Sequence, residues 1–441
     1  MTFAFNPQVL IQWKSWVYVL TVILTIALTW YIYKKYALSK YQMMIFILLV
    51  VFWSAINIVR AYRKAYAVSS GDIGGLAMDG ILGANIAASY GLVSIFVRMP
   101  VFALSDTLKS RRALIGSALM MVFLTSIWVV YKPDYLSLMS SSLALGVGAS
   151  MLALFNVFFS ETFSTKQAMV SVSILSIAPL LAEFIVAPLQ FLATQNPIKD
   201  YGLLWAMSAG LAFIGFLFLF RVKDNKEKVR NFSWQKIGIA LRDRRFILIC
   251  VLAVAVSFIR FASSGSNMVA YAKTEDVMMA DFLIAYLDVI FSLFQLVAGV
   301  IAGLWLKKKI GVKNTLLLGL AASLLFTVLA TTVTNPVILF IMYSFNGFGY
   351  GITYNVLLGL ALQPFAKDMR EVTMGIYQTF FAIGIYYGDK IYALILQNIP
   401  STFEGSALYQ LVFTLISGLI VLTMISIFVG FNKKNREFIE S

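Results

Sequence analysis

The chain has 441 residues, of which 60% are apolar and 12% are charged, and its mean hydropathy is +0.85. This composition excludes an ordinary soluble domain and indicates that most of the protein lies in lipid. The absence of histidine and the single cysteine, Cys250, exclude histidine chemistry, a disulfide framework and a Cys/His metal site, so we expect no metal and no cofactor.

Apolar runs between polar breaks predict an all-α polytopic membrane protein. A bilayer core about 30 Å thick is crossed by roughly 20 apolar residues in a helix. Thirteen runs meet this condition, in chain order near residues 16–33, 43–67, 82–104, 113–131, 136–158, 168–192, 202–221, 246–270, 280–305, 315–333, 337–360, 372–396 and 407–431.

The first run, VYVLTVILTIALTWYIYKK, has its lysines after the apolar core and no small-residue cleavage site. A signal peptide has basic residues in front of its core and such a site behind it. We therefore predict that residues 1–40 form an extra, uncleaved transmembrane helix with its N-terminus outside. The alternative is a leader that lies at the membrane interface or is degraded.

The basic residues are distributed unequally between the two sides of the membrane. If the loop at 105–112 is cytoplasmic, 25 of the 35 basic residues fall on that side, four on the other, and six inside the spans. Such an excess predicts a cytoplasmic C-terminus in a plasma (inner) membrane protein. The net charge of +15 thus sets the topology, and we expect no nucleic-acid partner.

The polar stretch RVKDNKEKVRNFSWQKIGIALRDRRF divides the remaining twelve spans into six and six. Within it, NFSWQKIGIALRD has the pattern of an amphipathic surface helix. We predict two six-helix bundles, at 41–221 and 246–431, joined by a cytoplasmic basic linker at 222–245 and followed by a cytoplasmic tail at 432–441.

The two halves repeat several features. The first span of each half carries a late arginine, in INIVRAY and SFIRFAS, and the second span of each half ends in a basic hairpin. Each fifth span carries one carboxylate, Glu183 or Asp389. Repeats with a binding site near the membrane midplane between them are typical of secondary transporters.

Arginines inside the spans are the main candidates for binding a substrate. Each costs about 2.5–3.5 kcal/mol near the bilayer centre, so Arg60, Arg98 and Arg260 together cost on the order of 10 kcal/mol. A mobile anion would offset that cost, since the planar guanidinium binds phosphate or carboxylate through paired hydrogen bonds. For Arg60, with Arg63 and Lys64 beside it, snorkelling at a helix end is the alternative.

Further polar residues accompany these arginines. For Arg98 and Lys390 the alternative to substrate binding is a structural pair with a carboxylate. Glu183, Asp288 and Asp389 are the acidic residues that we count in the spans. They are candidates for coupling transport to substrate or protons, and the alternative is that they pair with residues of other helices. The remaining candidates for substrate contact are Asn57, Tyr62, Tyr354 and Asn355.

The arrangement of twelve spans with an Asp–x4–Arg-Arg hairpin after the second resembles the major facilitator superfamily over roughly residues 40–431. The resemblance implies that Asp106, Arg111 and Arg112 take part in gating. Phe102 stands where that family usually has glycine. In the second half Gly311 and Lys313 match the hairpin motif, although Lys308 sits near the expected acid, so inner-gate behaviour is expected to differ.

Within that superfamily, an arginine in the first span of each half is similar to the organophosphate:phosphate antiporters, in which these arginines bind phosphate. Val59-Arg60 resembles the first-span motif, and Arg98 lies eight residues before Asp106, where that family has another basic residue. The family's histidine is absent. The vesicular glutamate and sialic-acid transporters also use a first-span arginine, so carboxylate substrates remain open.

We therefore expect a monomeric secondary transporter in membrane lipid, and not an enzyme, that moves a small-molecule anion by alternating access and exchange. The alternatives are a proton-coupled symporter of a carboxylate or other solute, or a channel or lipid-handling protein. If protons are carried, Glu183 is the expected carrier because it has no basic neighbour in sequence, whereas Asp389 is expected to pair with adjacent Lys390.

Overall fold

The computed structural model describes residues 14–108, 110–160, 162–163, 174–175, 177–195, 198–223, 233–363, 365, 369–398 and 405–431. Within these ranges the regular secondary structure is helical, with no strand. The backbone therefore satisfies its hydrogen bonds within each segment, as a chain in hydrocarbon requires.

Ten α-helices and a short 3-10 helix, Gly71–Ile73, lie in the described residues of the first part of the chain. The α-helices are α1 Lys14–Lys35, α2 Lys40–Arg60, α3 Arg63–Val68, α4 Gly80–Val97, α5 Pro100–Leu108, α6 Arg111–Tyr131, α7 Tyr135–Ser150, α8 Leu152–Ser160, α9 Ala178–Thr194 and α10 Gly202–Leu219.

Eight α-helices follow in the described remainder of the chain. They are α11 Trp234–Arg242, α12 Arg244–Ala262, α13 Ser266–Ala272, α14 Asp281–Ile301, α15 Lys307–Ala330, α16 Pro336–Leu362, α17 Arg370–Asn398 and α18 Ser406–Gly430. A π-helical segment, Ala302–Leu306, joins α14 to α15.

In the described part of the chain, eleven helical segments are long and apolar enough to span a membrane. The predicted span at 136–158 is divided at Met151 between α7 and α8. The predicted span at 168–192 corresponds to α9, which begins at Ala178; residues 168–173 lie outside the described residues. The amphipathic helix expected in the polar linker is confirmed as α11.

Side-chain caps fix where several helices begin. Ser39 starts α2 with a capping box that includes Gln42, and Asp134 starts α7 in the same way with Ser137. Asn335 caps α16, whose first residue is Pro336. These residues accept hydrogen bonds from backbone N–H groups that have no partner within the helix.

The first span of each half is interrupted just after its arginine. Helix α2 ends at Arg60 and α3 begins at Arg63, while α12 ends at Ala262 and α13 begins at Ser266. The freed carbonyl of Arg60 accepts a hydrogen bond from the Arg63 Nε at 2.9 Å. A break in hydrocarbon is tolerated when side chains satisfy the freed backbone groups in this way.

In the second half, polar side chains satisfy the carbonyls at the break. Ser263 Oγ donates to the carbonyl of Ile259 at 2.6 Å, and Asn267 Nδ2 donates to that of Phe261 at 2.9 Å. The Tyr392 hydroxyl donates to the carbonyl of Ala262 at 2.6 Å. The run SSGSN, at 263–267, thus serves mainly to stabilise the break.

The spans of each half pack mainly against one another. The two halves contact each other along two helix–helix interfaces, which we call the first seam, α4 against α17, and the second seam, α9 against α14. The first seam requires a close approach at Gly91. A Cβ at this position would lie 2.4 Å from the backbone nitrogen of Tyr386. Small residues of this kind allow membrane helices to approach closely.

The extra helix α1 lies across the second seam. The Tyr18 ring lies 5.8 Å from that of Phe191 on α9 and 6.4 Å from that of Phe282 on α14, between centroids. One turn further, Thr21 Oγ1 lies 3.2 Å from the Tyr286 hydroxyl. Helix α1 therefore contacts both halves at once.

We call the end of the bundle near Lys223, where the linker begins, the linker end, and the opposite end, near Lys273, the far end. At the linker end, the Tyr41 hydroxyl donates to the carbonyl of Lys223 at 2.7 Å. A turn at Gly311, with φ 77° and ψ 168°, lies at this end of α15. At the far end, Lys273 Nζ and Asp281 Oδ1 form an ion pair at 3.0 Å.

Candidate functional site

Arg60 lies between two carboxylates from different halves. Its guanidinium Nη2 is 3.5 Å from Glu183 Oε1 on α9 and 3.8 Å from Asp288 Oδ2 on α14. Asn57, one turn earlier on α2, donates from Nδ2 to Glu183 Oε1 at 2.7 Å. Glu183 and Asp288 are 2% and 5% exposed, so their charges are shielded from water and compensated mainly by this arginine.

The buried surroundings of Arg60 argue against the snorkelling alternative. Arg63 and Lys64 are each only 2% exposed. Arg63 Nη1 donates to Ser142 Oγ at 2.6 Å and to the carbonyl of Ala87 at 3.2 Å. The three neighbouring basic side chains thus point into the protein and have internal partners.

Arg260 has a different environment. Its guanidinium carbon lies 3.8 Å from the ring centroid of Phe291 and 5.4 Å from that of Tyr350. The residue is 8% exposed. Among the described residues no carboxylate lies within ion-pair distance of it. Cation–π contacts stabilise a guanidinium without neutralising its charge.

A small cavity of about 10 Å³ adjoins Arg260, between α12, α15 and α16. Ser323, Asn346 and Thr353 line it together with Tyr350. Asn346 donates from Nδ2 to Ser263 Oγ at 2.9 Å, while its Oδ1 is buried without a hydrogen-bond partner. The cavity is about the size of one water molecule, so the protein is closed around Arg260 in this conformation.

Arg98 joins the halves at the first seam. Its Nη1 donates to Gln378 Oε1 at 2.5 Å and to the Gln378 carbonyl at 3.1 Å, whereas its Nε is buried without a partner. Gln378 Nε2 in turn donates to the Tyr354 hydroxyl at 3.2 Å. Since these partners are neutral, the positive charge of Arg98 is hydrogen-bonded but not compensated by them.

The expected pairing of Asp389 with Lys390 is wrong. Asp389 Oδ1 accepts a hydrogen bond from Asn267 Nδ2 at 2.8 Å, whereas Lys390 Nζ donates to Asn85 Oδ1 at 2.5 Å. Adjacent residues on a helix point about 100° apart, and here each faces a different neighbour. Glu183 has no basic neighbour in sequence, but Arg60 approaches it from another helix, which agrees with the alternative of interhelical pairing.

Lys64 and Asn267 form a second polar contact between the halves, which sequence reasoning missed. Lys64 Nζ donates to Asn267 Oδ1 at 2.8 Å and lies 3.6 Å from the Tyr392 ring centroid. Asn267 thereby connects Lys64 to Asp389. The sequence signal was available in YRKAY, where two further basic residues follow Arg60 in an apolar context.

The remaining predicted residues lie apart from these clusters. Tyr62 lies in the break between α2 and α3, with its ring 5.8 Å from that of Tyr201. Asn355 donates to the carbonyl of Gly351 on its own helix at 2.7 Å. A Cβ at Gly299 would lie 2.5 Å from Asn355 Nδ2, so Asn355 packs against α14. Among the described residues, no hydrogen bond or cation–π contact joins either residue to Arg60, Arg98 or Arg260.

The expected gating residues lie at the linker end. Arg111 is 4% exposed, and Arg112 donates from Nη1 to the carbonyl of Val222 at 3.4 Å. Asp106 belongs to α5, and its side chain lies outside the described residues. The gating role of the three residues stays a prediction.

Comparison with known proteins identifies the family. A family profile described as Major Facilitator Superfamily matches residues 17–388 and again residues 252–438. A search of curated proteins finds no match.

Solved structures share the fold. The nucleoside transporter NupG is 14% identical with a TM-score of 0.67, and the match covers 89% of this chain and 100% of NupG. A POT family transporter in complex with 5-aminolevulinic acid is 13% identical with a TM-score of 0.72, over 88% and 95% of the two chains. A bacterial homologue of the human lysosomal transporter Spinster, in an inward-facing and occupied conformation, is 11% identical with a TM-score of 0.64, over 90% and 96%.

Proposed function

The chain belongs to the Major Facilitator Superfamily, and on that premise we propose that this membrane transporter carries a small organic anion by alternating access, in exchange for a second anion. The substrate is a phosphate ester or a carboxylate. Within the superfamily the proposal follows the resemblance to the organophosphate:phosphate antiporters. The protein is a multi-pass membrane protein, and we place it in the plasma (inner) membrane as a monomer, with the N-terminus outside and the C-terminus in the cytoplasm.

The observation that carries the proposal is that, in the part of the chain that the structure describes, no carboxylate lies within ion-pair distance of the buried Arg260. Apart from Arg221 and Asp281 at their ends, the predicted spans contain three acidic residues and six basic ones, which are Arg60, Arg63, Lys64, Arg98, Arg260 and Lys390. Arg60 already has carboxylates on two sides, whereas Arg260 has aromatic faces and a polar cavity beside it. A buried guanidinium without a counter-ion favours a bound anion, and its planar fork matches phosphate or carboxylate.

Arg98 supports the same proposal from the other half. Its hydrogen-bonding partner Gln378 is neutral, and Gln378 leads to Tyr354, whose ring stacks 5.5 Å from that of Tyr350 beside Arg260. Opening of the closed conformation would expose both arginines to one central space. An anion bound there would contact both halves, which is the condition for coupling substrate binding to their rocking motion.

Proton-coupled symport is the second candidate, and the cluster around Arg60 favours it. One arginine faces two buried carboxylates, Glu183 and Asp288. With both carboxylates ionised the cluster carries a net charge of −1, and uptake of one proton neutralises it. Two carboxylates that share one site often bind a proton between them.

Purified protein in liposomes tests the proposal. Uptake of labelled phosphate, a panel of sugar phosphates and a panel of dicarboxylates would be measured with and without an internal counter-anion. Exchange predicts uptake of at least one anion class only when the vesicles contain a counter-anion. Uptake of neutral or cationic solutes, with no anion transported under either condition, would contradict the proposal.

A further inference from the structure

A groove on the outside of the bundle, at the linker end, lies apart from the central arginines. It runs between α6 and α10 and has a volume of about 380 Å³. Phe216, Phe220 and Met120 contribute apolar walls, and Gly116 lies on its floor. A Cβ at Gly116 would lie 3.1 Å from Leu219 Cδ2, so the glycine allows α6 and α10 to pack closely at the base of the groove.

The groove faces the surroundings of the bundle. Phe220 is 59% exposed, and the neighbouring apolar residues Leu217 and Phe213 are 51% and 43% exposed. On a helix that spans a membrane, exposed apolar side chains face acyl chains. An occupant of the groove therefore has to be compatible with the hydrocarbon region over most of its length.

Arg112 stands at the mouth of this groove. Its guanidinium carbon lies 5.4 Å from the Phe220 ring centroid, and its Nη1 donates to the carbonyl of Val222 at 3.4 Å. From Arg112 to Met120 the helix rises about 12 Å, which takes the groove from the level of headgroups into that of acyl chains.

Charge complementarity selects an anionic occupant. The segments 110–131 and 202–223 contain four basic side chains, Arg111, Arg112, Arg221 and Lys223, and no acidic one. Guanidinium binds a phosphodiester through paired hydrogen bonds. Basic pockets between membrane helices at a cytoplasmic surface are suited to anionic headgroups.

We propose that the groove between α6 and α10 is a binding site for an anionic phospholipid, whose phosphate contacts Arg112 and whose acyl chain lies over Gly116 against Met120 and Phe216. The occupant is a lipid and not a soluble phosphate, because the walls below the arginine are apolar and open sideways. The site is independent of the substrate that the transporter carries.

Native mass spectrometry of the full chain in detergent tests this site directly. The protein would be titrated with phosphatidylglycerol and with phosphatidylcholine of the same acyl chains. We expect the wild type to bind phosphatidylglycerol more tightly than phosphatidylcholine. Arg112→Gln should weaken phosphatidylglycerol binding about fivefold, which corresponds to the effect of about one basic residue at a membrane surface. Binding of phosphatidylcholine should stay unchanged in this variant. Ala113→Trp, which fills the groove from an exposed position, should weaken the binding of both lipids.

Lys313 offers a matched control. It lies at the same end, donates from Nζ to the carbonyl of Phe428 at 3.0 Å and lies 3.8 Å from that ring, but it is outside the groove. Lys313→Gln should leave phosphatidylglycerol binding unchanged. Ser117→Trp provides a second groove-filling variant if Ala113→Trp fails to fold, as judged by size-exclusion chromatography.

Four results would overturn the proposal. An equal loss in Lys313→Gln would indicate diffuse surface charge, and displacement of the lipid by inorganic phosphate would indicate a soluble-ion site. Unchanged lipid binding in both folded tryptophan variants would place the lipid elsewhere. Equal affinity of the wild type for the two lipids would remove the role of charge.

Discussion

Arg60 and Arg260 occupy corresponding places in the two halves and differ in their counter-ions. Arg60 contacts Glu183 and Asp288 through one nitrogen, at 3.5 and 3.8 Å. Arg260 lies near three aromatic rings, of which Phe291 is the closest. Arg60 thus lies between two carboxylates, whereas Arg260 is the residue that the proposed function assigns to the anion.

This difference predicts unequal effects of substituting lysine. Arg260→Lys keeps the charge but removes the planar fork, and anion uptake should fall by about tenfold or more, equivalent to about 1.4 kcal/mol for one lost charged hydrogen bond. Arg60→Lys should have a smaller effect, because its long single-nitrogen contacts depend on charge. Uptake in proteoliposomes, normalised to folded protein, measures both variants.

Two further variants make this comparison sharper. Arg221→Lys, at the exposed linker end, should leave uptake unchanged and controls for expression and reconstitution. Arg60→Gln leaves two buried carboxylates uncompensated and should destabilise the protein by about 3–5 kcal/mol, seen as a lower melting temperature. Wild-type uptake in Arg260→Lys would contradict the role of Arg260 as the anion contact.

At the residue scale, the sequence locates the buried charges but not their partners. Arg60, Arg98, Glu183 and Asp389 were all predicted because a charge in an apolar run is conspicuous. Their partners come from helices far away in sequence, such as Gln378 for Arg98. Such contacts depend on helix rotation, which packing of the whole bundle determines.

At the element scale, the breaks in α2–α3 and α12–α13 explain polar residues that looked like cavity lining in the sequence. Asn267 donates to the carbonyl of Phe261 at the break, and Ser263 Oγ gives the carbonyl of Ile259 a second hydrogen bond beside that from the Ser263 N–H. Gly265 adopts φ 55°, a backbone conformation that glycine favours. The run SSGSN therefore stabilises an interrupted helix next to Arg260, and that interruption was not predicted.

The seam between α4 and α17 leads to a prediction about Gly91. A Cβ there would lie 2.4 Å from the backbone nitrogen of Tyr386, which cannot move aside as a side chain can. Gly91→Ala should therefore force the two helices apart and disfavour the closed seam by about 1 kcal/mol or more, which is a factor of about five in its population.

Cross-linking across this seam measures the effect. Cysteines introduced as Asn85→Cys and Lys390→Cys would be joined by a short bifunctional thiol reagent, since the native side chains meet at 2.5 Å. The yield should fall in Gly91→Ala and stay unchanged in Gly210→Ala, where a Cβ meets nothing within 4 Å. An unchanged yield in Gly91→Ala would show that the seam is not tightly closed there.

At the scale of the whole molecule, hydropathy and charge distribution predicted the helical membrane fold, and the family match supports it. Such patterns depend on local composition, which lipid enforces strongly. The placement of α1 across the seam between α9 and α14 could not be predicted, because it rests on tyrosine and threonine contacts such as Thr21 with Tyr286. A helix that contacts both halves would have to adjust if the halves rock as the proposed mechanism requires.

The coupling of transport to an ion gradient or to a second anion is also a property of the whole molecule. Around Arg60, one basic and two acidic side chains share a buried site, whereas the spans as a whole carry more basic than acidic residues. The excess of positive charge favours exchange, because an empty site that is rich in cations should resist reorientation through lipid.

Glu183→Gln distinguishes the two modes without removing the fold. The amide keeps a similar shape, and Arg60 retains Asp288 as its counter-ion, so the variant should be folded. If transport is exchange, a pH gradient alone should drive no uptake into vesicles that lack a counter-anion, and the variant should exchange anions at nearly the wild-type rate. If transport is coupled to protons through Glu183, the wild type should accumulate substrate under the pH gradient and the variant should lose that accumulation while it still exchanges substrate for substrate. Rapid wild-type uptake under the pH gradient alone would therefore decide against exchange. If that uptake persisted in Glu183→Gln, the proton would be assigned to another carboxylate. Asp288, which is the next nearest to Arg60 after Glu183, would then be the first candidate.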